Sequence, residues 1–215
     1  VGERRFFQED GRKELTKGCS ISFLMLASAQ SESLLHCHPD TPCPAVTSIK
    51  ATLSWKQGRA LKIVYTLNGA VDRLRVPPRR SVRRTDGLWQ HTCFELFIAA
   101  QNDAEYYEFN FSPSGEWAAY EFRNYRDGGA IDSDDLEPNI AVQQSAETLE
   151  LSAVLRADRL SGIAPEIRLS LGLSAVIEGL DESLSYWALK HSLGKPDFHH
   201  PDSFAFELTV PGEKS

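Results

Sequence analysis

From residue 48 onward the chain alternates apolar and polar positions in short runs. SIKATLSW (48–55), ALKIVYTL (60–67), TCFELFIAA (92–100) and YYEFNF (106–111) are rich in β-branched and aromatic residues. EWAAYEF (116–122), TLELSAVL (148–155), EIRLSLGLSAVI (166–177) and FAFELTV (204–210) have the same character. Period two gives a strand two different faces, and the Gly, Asn, Asp and Pro between the runs mark turns. Many strands without long amphipathic helices between them predict an all-β fold, an antiparallel β-sandwich. One such domain over residues 34–211 is expected, preceded by an extension over 1–33.

One hairpin can be read in register. In YYEFNFSPSGEWAAYEF (106–122), Ser-Pro-Ser-Gly fits a type I turn with Pro113 second and Gly115 in the left-handed region. A three-residue loop then sets Phe111 opposite Trp117 and Phe109 opposite Ala119 on one face, which is predicted as core. The other face sets Asn110 opposite Ala118 and Glu108 opposite Tyr120. Carboxylate, amide and phenol are an unusual load for the middle of a sheet unless that face is wet or binds something.

Composition narrows the classes. The chain has 215 residues, is 41% hydrophobic and carries a formal charge of −7, which supports a packed core and argues against a nucleic-acid surface. The basic run RRSVRR (79–84) is expected to be a solvated loop. Cys19, Cys37, Cys43 and Cys93 form no CxxC pair and are expected as free thiols, although HCHPDTPCP (36–44) leaves room for a local bridge or a weak metal clip. No run approaches the ~20 apolar residues of a membrane span, so no membrane partner is expected. A cytoplasmic protein is expected, with the periplasm or secretion the alternative if residues 13–29 act as a signal.

Familiar catalytic frameworks such as GxSxG, HExxH or a phosphate-binding loop do not occur, and no cofactor is expected. The acidic run DSDD (132–135) reads as a solvated loop. Trp89 and Trp187 say more, because each lies beside a polar segment. A flat ring stacks on the C–H face of a sugar while neighbouring polar groups take its hydroxyls. The candidate ligand-binding set is therefore Trp89, Glu95, Glu108, Asn110, Tyr120, Trp187, Lys190 and His191, with a small saccharide-like ligand as the partner. Trp55 and Trp117 read as core.

The segments DGLWQHTCFELFIA (86–99), YYEFNFSPSGEWAAYEF (106–122) and SYWALKHSLGKPDFHHPDSF (185–204) resemble those of bacterial DOMON-like proteins related to family 9 carbohydrate-binding modules. The resemblance covers roughly residues 34 to 210 and implies a β-sandwich. It also implies a terminal saccharide stacked between two tryptophans, with glutamate and asparagine on the hydroxyls. The matching positions are Trp89, Glu95, Asn110 and Trp187; where the modules usually carry a basic residue two before the asparagine, this chain has Glu108. Another branch of the superfamily binds haem, often through Met and His. The one methionine, Met25, falls in the extension, which argues against a Met/His site and leaves a bis-His site open.

The stretch YWALKHSLGKPDFHHPDSF (186–204) is too irregular to be helix or strand and is expected to be a long loop fixed by Pro196 and Pro201. It would present Lys190 and His191 beside Trp187. His191, His199, His200, Asp197 and Asp202 raise a metal-dependent enzyme as the alternative function, with a structural or partner-binding domain as a third. Adjacent His199 and His200 cannot easily both point inward from an extended segment, so no metal is expected there.

Overall fold

The computed structural model describes residues 31–212. Twelve antiparallel strands make two packed sheets. The first holds β1 (Ser31–Cys37), β2 (Val46–Lys56), β3 (Ala60–Gly69), β8 (Asn139–Gln144) and β9 (Thr148–Arg156), in the order β1-β2-β3-β9-β8. The second holds β4 (Cys93–Ala100), β5 (Tyr106–Phe111), β6 (Trp117–Asn124), β7 (Asp127–Ala130), β10 (Arg168–Glu178) and β11 (Leu184–Ala188), in the order β7-β6-β5-β4-β10-β11. A short β12 (Phe206–Thr209) pairs with the start of β10.

Strand β1 joins the layers. Ser31 to Leu35 pair with β2, and His36 and Cys37 pair with β11, so one strand belongs to both sheets. Among the described residues, helical structure is limited to single 3₁₀ turns. The predicted antiparallel β-sandwich is the observed fold.

Inward residues alternate as period two requires. Phe94, Leu96, Phe109, Phe111 and Trp117 are buried against Ile49, Leu53, Ile63 and Leu151 of the other sheet. Tyr65 crosses the interface, stacking on Phe94 and donating its hydroxyl to the Glu95 carbonyl. The β5–β6 hairpin has the predicted register, Phe111 opposite Trp117 and Glu108 opposite Tyr120. Its turn closes with Gly115 N–H donating to the Ser112 carbonyl at 2.9 Å, with φ 93° at Gly115.

The outward face of the second sheet carries a smaller apolar cluster, which includes Phe97, Tyr106, Tyr120, Phe122, Val176 and Phe198. The segment over residues 189–205 crosses this face as a strap. A Cβ at Gly172 would stand 3.1 Å from the Cβ of Phe97 and 3.4 Å from the Ser203 carbonyl, so glycine lets the strap lie close.

Several expectations are corrected. Tyr186 to Ala188 belong to β11 rather than to a loop. Strands β1, β7 and β8 have no counterpart among the predicted runs. Cys37 and Cys43 are free thiols, without a bridge between them. Cys19, Met25 and the signal-like residues 13–29 lie outside the described residues.

Candidate functional site

Three strands of the second sheet put one row of polar side chains outward. In register, Ser174 of β10 faces Glu95 of β4, and Glu95 faces Asn110 of β5. The next row sets Phe97 opposite Glu108 and Glu108 opposite Tyr120. Glu95 and Glu108 are thus diagonal neighbours on one face, close enough for their charges to interact. Above them lies a cleft of about 340 Å³.

The cleft is lined by Glu95, Phe97, Glu108, Tyr120, Phe122 and Val176 from the sheet. Its walls come from Trp89, from Arg126 in the β6–β7 turn, from Tyr186 of β11, and from Pro196, Phe198 and His199 of the strap. Trp89 sits in a 3₁₀ turn entered through Gly87 at φ 76°, is 42% exposed, and meets the Tyr120 ring edge-on at 5.9 Å.

Burial governs the protonation of the acids. Glu95 is 3% exposed, and desolvation first, then the nearby charge of Glu108, push its carboxyl well above the usual range. Its Oε2 accepts a 3.3 Å bond from the Ser174 hydroxyl. Glu108 rises to about 7 through burial, opposed by a 2.7 Å bond from the Asn110 amide to Oε1. His199 goes the other way, down to about 4, because burial disfavours imidazolium and Arg126 lies near. Its Nε2 is 3.6 Å from Glu108 Oε2, and its Nδ1 meets the Tyr106 hydroxyl at 2.8 Å. That hydroxyl also accepts from the Arg126 backbone N–H, so Tyr106 ties the strap histidine to the β6–β7 turn.

The strap is anchored along its length. Asp197 accepts from the Tyr125 hydroxyl at 2.6 Å and from Arg126 at 2.8 Å. His38 accepts the Asp40 N–H at Nδ1, so its Nε2 carries the proton donated to the Gly194 carbonyl at 2.9 Å. His191 Nε2 bonds the His36 carbonyl, Lys190 pairs with Asp202 at 3.3 Å, and His200 Nδ1 accepts the Asp202 N–H. The polar groups of this stretch therefore chiefly fix its path, and among the described residues no three His, Cys, Asp or Glu side chains gather where a metal ion would fit.

Of the sequence-predicted residues, Trp89, Glu95, Glu108 and Tyr120 line the cleft together. Asn110 is fully buried beneath it, where it orients Glu108. Trp187 does not reach the cleft: it is 6% exposed, packs in the core between the sheets, and donates from Nε1 to the Ser185 hydroxyl. Lys190 and His191 lie on the strap away from the lining. Sequence reasoning missed Tyr186, Phe198, His199 and Arg126. Tyr186 and Trp187 are neighbours on β11 and necessarily face opposite ways, so with Trp187 in the core it is Tyr186 that turns to the cleft.

No family model and no curated protein matches the chain. Among solved structures, a candidate carbohydrate-binding protein from Bacteroides uniformis aligns with TM-score 0.60 and 16% identity, covering 83% of this chain and 85% of that one. A family 9 carbohydrate-binding module from Caldicellulosiruptor kristjanssonii, solved with cellotriose, aligns with TM-score 0.51 and 12% identity over 86% and 84%. At these identities the likeness is one of fold, and the sandwich is of the family 9 module kind.

Proposed function

We propose that this domain binds a saccharide without transforming it, in the cleft that Trp89, Tyr186 and the strap wall above Glu95 and Glu108. The observation that carries the reading is the placement of six aromatic rings, Trp89, Phe97, Tyr120, Phe122, Tyr186 and Phe198, around two carboxyl groups in about 340 Å³. That volume lies in the range of small-molecule sites, roughly 300–1,000 Å³, and the lining has their mix of apolar wall and a few convergent polar groups. Rings serve the C–H faces of a sugar, and carboxyl oxygens serve its hydroxyls. The fold shared with a module solved with cellotriose supports the same ligand class. The motifs around Trp89, Asn110 and residues 185–204 further suggest the DOMON-like relatives of those modules.

Titration calorimetry against mono- and disaccharides tests the proposal. Heat of binding is expected with the wild type. Trp89→Ala should weaken binding by about 0.5 to 1.5 kcal/mol or more through lost stacking, with the fold intact because Trp89 is a surface residue outside the core. Absence of heat with every sugar would sink the reading.

A further inference from the structure

Neither acid of the cleft is bonded to a lysine or arginine among the described residues; the one partner of opposite potential charge is His199, 3.6 Å from Glu108. Arg126 lines the cleft and its charge lowers both carboxyls somewhat, but its hydrogen bonds go to Asp197 and the Tyr125 hydroxyl. The neighbouring Glu178 is satisfied by Arg75 and His91, and Asp86 accepts from Tyr120. Cys93 and Tyr106, also on this face, bring no positive charge. Glu95 has its Oε2 bonded to Ser174, makes no hydrogen bond from Oε1, and lines the cavity.

One carboxyl is enough to accept from a sugar's hydroxyls, whereas two acids buried side by side on one face cost more than neutral amides would unless the ligand brings a positive charge between them. An unpaired acid pair ringed by aromatic faces is instead the chemistry that holds an ammonium group, whose charge is met by the carboxylates and by the ring quadrupoles. We propose that the ligand presents a free amine to Glu95 and Glu108, so that the saccharide bound is an amino sugar rather than a neutral one. This rests on the saccharide reading of the same cleft. It has a proton signature: carboxyls that burial keeps protonated in the empty cleft ionise against the ammonium, and protons leave to solvent.

The test compares D-glucosamine, D-glucose, N-acetyl-D-glucosamine and tetramethylammonium by calorimetry at about pH 6 in buffers of different ionisation enthalpy. Glucosamine is expected to bind at least about tenfold more tightly than glucose or the N-acetyl sugar, with release of about one proton per site. In Glu95→Gln/Glu108→Gln the preference and the proton release should vanish; Glu95→Gln alone serves if the double variant does not fold. Equal affinity for glucose and glucosamine, or preference for the acetylated sugar, overturns the amine proposal and leaves the saccharide reading standing. Binding of tetramethylammonium with no sugar bound overturns the saccharide reading and keeps the cation site. Silence from all four overturns both.

Discussion

Burial in the cleft moves a proton from a histidine to a glutamate. Unfolded, Glu108 titrates near its ordinary 4.5 and His199 near 6.5, so at mildly acidic pH the imidazole holds the proton. Folded, the order reverses, with Glu108 at about 7 and His199 at about 4. Between pH 4.5 and 6.5 the pair binds one proton in either state, and its contribution to stability is flat. Single substitutions should expose opposite slopes. A raised carboxyl contributes stability that is full below its unfolded value and lost as pH rises through its folded one. His199→Gln should therefore weaken relative to wild type as pH climbs from 4.5 toward 7, by up to about 3 kcal/mol. A lowered imidazole contributes stability that is present above 6.5 and lost as pH falls toward 4, so Glu108→Gln should weaken on acidification. Glu95 tilts all three proteins in the direction of Glu108; its main cause, burial, is common to all, and the part due to the Glu108 charge is missing in Glu108→Gln, which adds to the slope expected there. Urea unfolding at pH 4.5 and 6.5 reads both slopes; the same sign in both variants would overturn the assignment.

Among the elements, what could be read from sequence depended on whether side chains report the period. β5 was legible to the residue, because alternating aromatics and a Ser-Pro-Ser-Gly turn fix both face and register. β7, Asp-Gly-Gly-Ala, has no alternating side chains, and β8 is a short, mostly exposed edge strand; their pairing comes from the backbone ladder, which leaves no trace in hydropathy. The strap was visible as a polar, proline-fixed segment, but its anchors are long-range: Asp197 meets Tyr125 and Arg126 some 70 positions earlier in the chain. Those anchors give it a testable job. Asp197→Ala should cost little global stability, about 1 kcal/mol, because the Arg126 partner is half exposed. It should speed amide exchange over residues 190–204 while β4, β5 and β6 keep their protection. A uniform rise in exchange across the sandwich would show instead that the clamp supports the whole fold.

At the scale of the whole molecule, the sandwich sorts its residues into a core between the sheets and a cleft-bearing face outside one of them, and a slip of one residue exchanges the two positions. Trp187 shows how. From sequence it is a tryptophan heading a polar stretch, like Trp89, and its chemistry suits a sugar. Five residues of β11 decide otherwise, for Trp187 stands opposite Ala175 on the core side and Tyr186 opposite Val176 on the cleft side. A short strand followed by a long loop gives too few alternating positions to set the phase; only pairing with β10 does so. The exchange of roles predicts a double dissociation. Trp187→Ala should empty a large core site and cost about 3 to 5 kcal/mol, while the remaining folded protein keeps its cleft and its ligand affinity. Tyr186→Ala, at a half-buried wall position, should change the urea midpoint little and weaken the ligand through lost ring contact. Denaturation curves and calorimetry on the two variants, at a temperature where both are folded, check this together. Loss of ligand affinity with unchanged stability in Trp187→Ala would put Trp187 back in the site and reverse the assignment of the two faces.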